Sequence, residues 1–135
     1  MAATDDVAYV EHPLLAPEVV ERRRYQTELA ATARSAHTLV CLPTGLGKTT
    51  VSLLVTAGRL ADVGGKALFL APTKPLVQQH AAFYREALRI DDDEVVVFTG
   101  EVRPEDRAAL WDDARVVVAT PQVVENDLIG GRVSL

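Results

Sequence analysis

Leu42-Pro43-Thr44-Gly45-Leu46-Gly47-Lys48-Thr49 is the stretch of this sequence most able to do chemistry. Two glycines two residues apart let the backbone turn tightly and bring its N–H groups against phosphate oxygens. A helix expected to start near Lys48 would aim its free N–H groups and positive dipole end at the same point. Lys48 can reach the β- and γ-phosphates of a nucleoside triphosphate, and the Thr49 hydroxyl can ligate Mg²⁺. Thr44, Gly45, Leu46, Gly47, Lys48, Thr49 and the following Thr50 therefore form the candidate nucleoside-triphosphate and Mg²⁺ site, with Lys48 and Thr49 in the catalytic roles. The match to G-x-x-x-x-G-K-[ST] departs at one place, because Leu42 stands where the first glycine would be. That disfavours the simple P-loop kinases and GTPases. A Gly-Lys-Thr turn that binds nothing is disfavoured by the strand, loop and helix expected in order around it.

The elements that would position this loop follow from apolar periodicity. Residues 1–16 lack periodicity and read as an extended lead-in. A helical pattern runs from Pro17 to about Arg34. Thr38–Leu42 is apolar and β-prone, Lys48–Asp62 is helical, and Gly64–Gly65 makes a turn. A strand over Lys66–Ala71, a helix over Lys74–Leu88 and a strand over Glu94–Phe98 come next. Arg103–Asp113 is a helix with Pro104 in its first turn, Arg115–Ala119 a strand, and Pro121–Ile129 a helix stopped by Gly130–Gly131. Four expected strands thus alternate with helices. Runs such as Val95-Val96-Val97-Phe98 and Val116-Val117-Val118-Ala119 suit strands buried on both faces. The expected fold is α/β, a parallel sheet with helices on both faces, with a sandwich of buried strands as the minority alternative.

Composition sets the outer limits. The 135 residues favour one domain large enough to bury a core. Hydrophobic residues at 48% and charged residues at 24% are those of an ordinary folded domain, which argues against disorder and against a coiled coil. No apolar run approaches the ~20 residues that span a bilayer. Met1–Asp6 is acidic and has no basic n-region, so no signal peptide is expected. The lone Cys41 and the absence of a leader pattern suit a reducing, cytoplasmic interior. The net charge of −5 argues against a surface-wide basic footprint, so any nucleic-acid contact must be local. Only Lys48, Lys66 and Lys74 are lysines, against eleven arginines. A high-salt cytoplasm and a GC-rich genome would each produce that bias.

Further stretches fall in a fixed order around the loop. Upstream is Arg23-Arg24-Tyr25-Gln26, with Gln26 lying 22 residues before Lys48. Downstream come Ala71-Pro72-Thr73-Lys74-Pro75-Leu76-Val77, then Thr99-Gly100-Glu101, then Ala119-Thr120-Pro121-Gln122. The ordered set resembles the first RecA-like domain of superfamily 2 helicases, and in wording the archaeal Hef and eukaryotic FANCM branch. The resemblance covers roughly residues 12–135, with residues 17–135 expected as the N-terminal part of the ATP-binding domain. It implies ATP-driven helicase or translocase action on branched and forked DNA in repair.

The resemblance carries roles to particular residues. Gln26 takes the role of reading the adenine edge, which an amide can do by donating and accepting at once. Without the loop, Gln26 would read as a surface helix residue. Pro72, Thr73 and Lys74, then Thr99 and Gly100, then Thr120 and Pro121, take the DNA contacts. Physically, Thr73 and Thr120 each stand where a strand gives way to a helix, the place where open α/β sheets bind ligands. Their hydroxyls and nearby N–H groups could hold a phosphate without reading bases. Each could equally be a plain N-cap.

The resemblance also implies what lies outside these residues: a strand with Asp-Glu-x-His, a second RecA-like domain with its arginine finger and, where one is fused, a nuclease domain. On that reading the chain binds nucleotide but is a poor catalyst and a poor independent folder by itself. Two rivals remain: a translocase subunit of a restriction or remodelling enzyme, and a non-catalytic nucleotide-binding module. RNA in place of DNA also stays open. His12, His37 and His80 are too scattered for a metal site. Cys41 reads as a small core residue in a buried strand, Trp111 as a helix-packing anchor, Asp91–Asp93 as a solvated turn and Arg22–Arg24 as a solvated helix face.

Overall fold

A computed structural model describes residues 8–135, so the acidic Met1–Asp6 stretch lies outside the described residues. Among the described residues, five α-helices and three strands run α1 (Arg24–Ser35), α2 (Lys48–Asp62), β1 (Ala67–Leu70), α3 (Lys74–Ala87), β2 (Val95–Phe98), α4 (Pro104–Asp113), β3 (Val116–Ala119) and α5 (Pro121–Ile129). The chain divides into two units. One holds the residues up to Val63 with Ala87–Arg89, and the other holds Gly64–Glu86 with Ile90–Leu135.

In the first unit, α1 starts seven residues later than the Pro17 periodicity predicts. Backbone geometry explains the difference. Glu18 sits in the left-handed region at φ 58°, which a continuing helix cannot contain. The chain on either side is used for pairing instead: Val10 N–H donates to the Val20 carbonyl (2.8 Å) and Arg22 N–H to the Ala8 carbonyl (2.7 Å). These bonds flank an antiparallel bridge between Tyr9 and Glu21. The described part of the lead-in, residues 8–16, is therefore woven into the unit rather than merely extended. Buried Leu15 bridges Leu88, and Ala16 N–H reaches the Ala87 carbonyl at 2.8 Å.

α2 occupies the expected Lys48–Asp62 and buries Val51, Leu53, Leu54, Ala57 and Leu60 on one side. Its Gly58 lies under the Arg34 side chain of α1: a Cβ there would fall 2.5 Å from the Arg34 Nε. Arg34 continues to an ion pair with Asp62.

The expected strand over Thr38–Leu42 does not form. These residues carry no strand assignment, Leu39 is 88% exposed and Cys41 is exposed rather than buried. A buried parallel strand is stabilised by ladder bonds on its flanks, and no described strand pairs with this run. β-propensity alone does not hold it.

The second unit carries the sheet, ordered β1-β3-β2 and parallel throughout. Central β3 is buried at all four residues, whereas β1 is half-buried and ends on exposed Leu70. Alternation of side chains sorts the two faces. Leu68, Val96, Phe98, Val117 and Ala119 join Trp111 of α4 and Val123 and Val124 of α5 in one apolar cluster. Phe69 points the other way, to the rings of His80 (4.7 Å between centroids) and Tyr84 (5.4 Å) on α3. Helices thus cover both faces, as the apolar strands require.

Trp111 is the packing anchor its position suggests, 6% exposed and 6.2 Å from the Phe98 ring. Lys66 crosses its ring at 5.0 Å and donates to the Trp111 and Ala114 carbonyls at the end of α4. A cation there complements the helix dipole. Asp91 opens a capping box over a 3-10 turn at Asp92–Glu94. Arg23 and Arg24 pair with Glu21 and Glu28 at the surface, as a solvated face would.

Candidate functional site

The glycines of the loop adopt the geometry their positions call for. Gly45 and Gly47 sit at φ 87° and 80°, the left-handed region that a side chain makes costly. Leu46 N–H closes a turn on the Pro43 carbonyl at 3.3 Å, so that amide is taken as the loop stands. Gly47 is the N-cap of α2 and offers no side-chain cap to the helix's first N–H groups. Lys48 is exposed and makes no ion pair among the described residues. Thr49 and Thr50 are half-buried in the first turn, and Thr44 is exposed. The donors thus converge on one helix start, an arrangement suited to an anion.

Gln26 is not a surface residue. It is 5% exposed, and its Nε2 donates to the Leu46 carbonyl at 3.0 Å. The Tyr25 hydroxyl donates to the same carbonyl at 2.9 Å. Gly47 makes room for this: a Cβ at Gly47 would lie 2.3 Å from Gln26 Nε2. α1 therefore grips the loop by its main chain. Nε2 also donates to the Tyr25 hydroxyl at 3.5 Å, a long bond, so Oε1 is the part of the amide with acceptor capacity left over.

In the sheet unit, Pro72, Thr73 and Lys74 are exposed where β1 gives way to α3. Lys74 forms an ion pair with Glu101, which partly neutralises its charge. Thr99 is 4% exposed, and its carbonyl closes a turn by accepting Val102 N–H at 3.1 Å. What this segment presents is exposed Gly100, not the Thr99 side chain.

Thr120 is half-buried and makes no side-chain cap, so the N-cap use of its hydroxyl is not realised. Its own N–H is spent on the Phe98 carbonyl at 3.2 Å, and Pro121 has none. The free donors at this helix start therefore begin at Gln122, one residue beyond the expected set.

Sequence reasoning missed a buried charge network here. Arg107 of α4 forks onto Asp127 of α5 at 2.6 and 2.7 Å. A third bond runs from its Nη1 to the Val102 carbonyl. Arg132 adds a bond to Asp127 at 2.9 Å. The Arg107 hydrogen bonds, helped by Arg132, outweigh burial and hold the Asp127 carboxyl below the usual carboxylate range. It is ionised at neutral pH. Charge suggested solvent, but spacing held the signal: Arg107 precedes buried Trp111 by four residues, and Asp127 follows buried Val123 by four.

Comparison with known proteins agrees with this geometry. The DEAD/DEAH box helicase family matches residues 23–134. A Methanocaldococcus jannaschii protein that carries the name of an ATP-dependent RNA helicase is 46% identical over 127 residues, 94% of this chain and 16% of its own length. The Drosophila melanogaster DEAD-box ATP-dependent DNA helicase Fancm is 37% identical over 119 residues, 87% of this chain and 8% of its own. Among solved structures, the Pyrococcus furiosus Hef helicase domain superposes with a TM-score of 0.87 at 45% identity, covering 90% of this chain and 26% of that one. This chain spans about a sixth or less of the length of the two relatives. With residues 23–134 inside the family match and its fold shared with Hef, the chain belongs to the DEAD/DEAH box helicases, with Hef and FANCM types among its relatives.

Proposed function

We propose that this chain is the nucleotide-binding and first strand-contacting part of an ATP-dependent DNA helicase or translocase that works on forked or branched DNA in repair. Residues 17–135 are, on this reading, the N-terminal portion of the first RecA-like domain of a cytoplasmic motor. The observation that carries it is the glycine loop at the uncapped start of α2, gripped by Gln26 at the Leu46 carbonyl.

The residues present fit ATP with Mg²⁺. N–H groups of Gly45, Gly47 and the first turn of α2 receive phosphate oxygens, and Lys48 neutralises them. Thr49 offers its hydroxyl to the ion, which supplies charge neutralisation at the phosphates when bound. Gln26 can accept from adenine N6 with Oε1 while keeping its bond to Leu46, and can donate to N7 by exchanging its long 3.5 Å bond to the Tyr25 hydroxyl for the base. Replacing it with alanine is expected to reduce the preference for ATP over GTP by about tenfold, since a paired amide contact is worth roughly 1.5 kcal/mol. Competition binding with both nucleotides reads this directly, and an unchanged ratio would remove Gln26 from the base site.

Strand contact runs through Thr73 and Lys74, the main chain at Gly100 over buried Thr99, and Thr120 with the helix start after Pro121. These groups hold sugar and phosphate and do not read base edges, which suits a motor indifferent to sequence. The acidic net charge is no obstacle, because oriented dipoles do the work locally.

The test uses the intact protein, whose other segments complete the catalytic site on this reading. Forked DNA is expected to stimulate ATP hydrolysis and to be unwound, and blunt duplex to do neither. Hydrolysis without strand separation would move the protein to the translocases. Stimulation by RNA but not by DNA would reassign the substrate.

A further inference from the structure

The sheet unit contains one charge network sunk into its interior. Asp127 is fully buried and Arg107 is 5% exposed. Burying an ion pair is unfavourable to begin with, and apolar side chains of similar volume usually fill such a place as stably. What a forked guanidinium adds is direction, because both of its bonds to a carboxylate are fixed in one plane. Its value at this position must then be sought in what it aligns.

It aligns two segments. Arg107 donates to the Val102 carbonyl, which ends the turn that Val102 N–H closes on Thr99. It also holds Asp127, in the later part of α5. α5 is fixed a second time at its start, where Thr120 N–H donates to the Phe98 carbonyl, the residue just before Thr99. The two anchor points are seven residues apart, roughly 10 Å along a helix. One anchor would let α5 swing; two fix its axis relative to the Thr99–Val102 turn. Arg132, a third exposed, closes the far side through Asp127 and the Asn126 carbonyl.

We propose that the Arg107–Asp127 pair is a positioning device for strand binding, holding the exposed main chain at Gly100 and the uncapped N-terminus of α5 so that both meet one nucleic-acid backbone. The proposal rests on the reading of Gly100 and Thr120 as strand contacts. Neither Arg107 nor Asp127 touches the strand. They act through the turn and the helix that do.

The experiment measures, in the intact protein, the dissociation constant for a labelled single-stranded oligonucleotide at fixed salt, together with Tm. Arg107→Met combined with Asp127→Leu replaces the pair with apolar side chains and leaves Arg132 free to turn to water. Tm is expected to stay within a few degrees of the parent while the dissociation constant rises about tenfold, the scale of coupling carried by such networks. Arg107→Lys keeps the charge, loses the fork and is expected to weaken binding in the same direction at near-parental Tm. A double variant that binds like the parent overturns the proposal. So does a loss of affinity that simply follows Tm across the series. Thr120→Val is the reference arm. If it leaves binding unchanged, the strand-contact reading fails first. If it weakens binding while the double variant does not, only the positioning role fails.

Discussion

In the intact protein, Lys48→Ala is expected to lower kcat for DNA-stimulated ATP hydrolysis by about two to three orders of magnitude, the loss typical of removing one preorganised charge from a reacting group. Lys48 opens α2 directly after a left-handed glycine, stands exposed and has no ion pair among the described residues. Its ammonium is therefore available to the phosphates, and no internal partner is stranded when it goes. Alanine is also the better helix former. Tm should consequently stay within about 2 °C of the parent, because an exposed substitution rarely moves stability by more than about 0.5 kcal/mol. Steady-state hydrolysis and a thermal melt on the same sample separate the two effects. Hydrolysis retained at the parental rate would refute the assignment of Lys48.

Gly47→Ala should do more damage to nucleotide binding than its single methyl suggests. At φ 80° an alanine is strained by roughly 1–2 kcal/mol. The methyl would also stand 2.3 Å from Gln26 Nε2, too close for either to remain. The Gln26 bond to Leu46 must break or the loop must shift, and each disturbs the donors aimed at phosphate. A rise of about thirtyfold in the ATP dissociation constant is expected, for a combined loss of about 2 kcal/mol. Gly45→Ala provides the contrast. It carries similar strain at φ 87° but meets nothing within 4 Å, so its effect should be several-fold smaller. Placing Gly47→Ala on a Gln26→Ala background removes the collision but not the strain. Calorimetric titration with ATP and Mg²⁺ should then show a smaller added loss than in the parent. Strictly additive losses would deny the contact between the two residues its role.

Local signals carried most of what the sequence revealed. The bounds of α2 and α5 match the expected ones because their punctuation is next to them: Gly47-Lys48 opens one, and Gly130–Gly131 closes the other. β2 and β3 were legible as unbroken valine runs. Failures came where the outcome depends on distant chain. Thr38–Leu42 has the composition of a strand but no described neighbour to pair with. Pro17 looks like a first helical residue until Glu18 turns left-handed and the chain pairs with Ala8–Val10. The left-handed glycines and the helix start at Lys48 were legible as backbone geometry. The loop's hold by Gln26 was not, because a bond between an amide side chain and a main-chain carbonyl twenty residues away leaves no pattern in the sequence. Glu101 on Lys74 and the burial of Thr99 escaped for the same reason.

The open Thr38–Leu42 run has a practical side. It contains no charge, and Leu39 and Cys41 lie bare to solvent. Such a segment is a ready template for cross-chain zipping. A concentrated sample of the chain would clump through it, and air would rivet neighbouring copies together at sulfur. Leu39→Lys would act as a gatekeeper against the zipping, and Cys41→Ser would remove the sulfur route, neither touching the glycine loop.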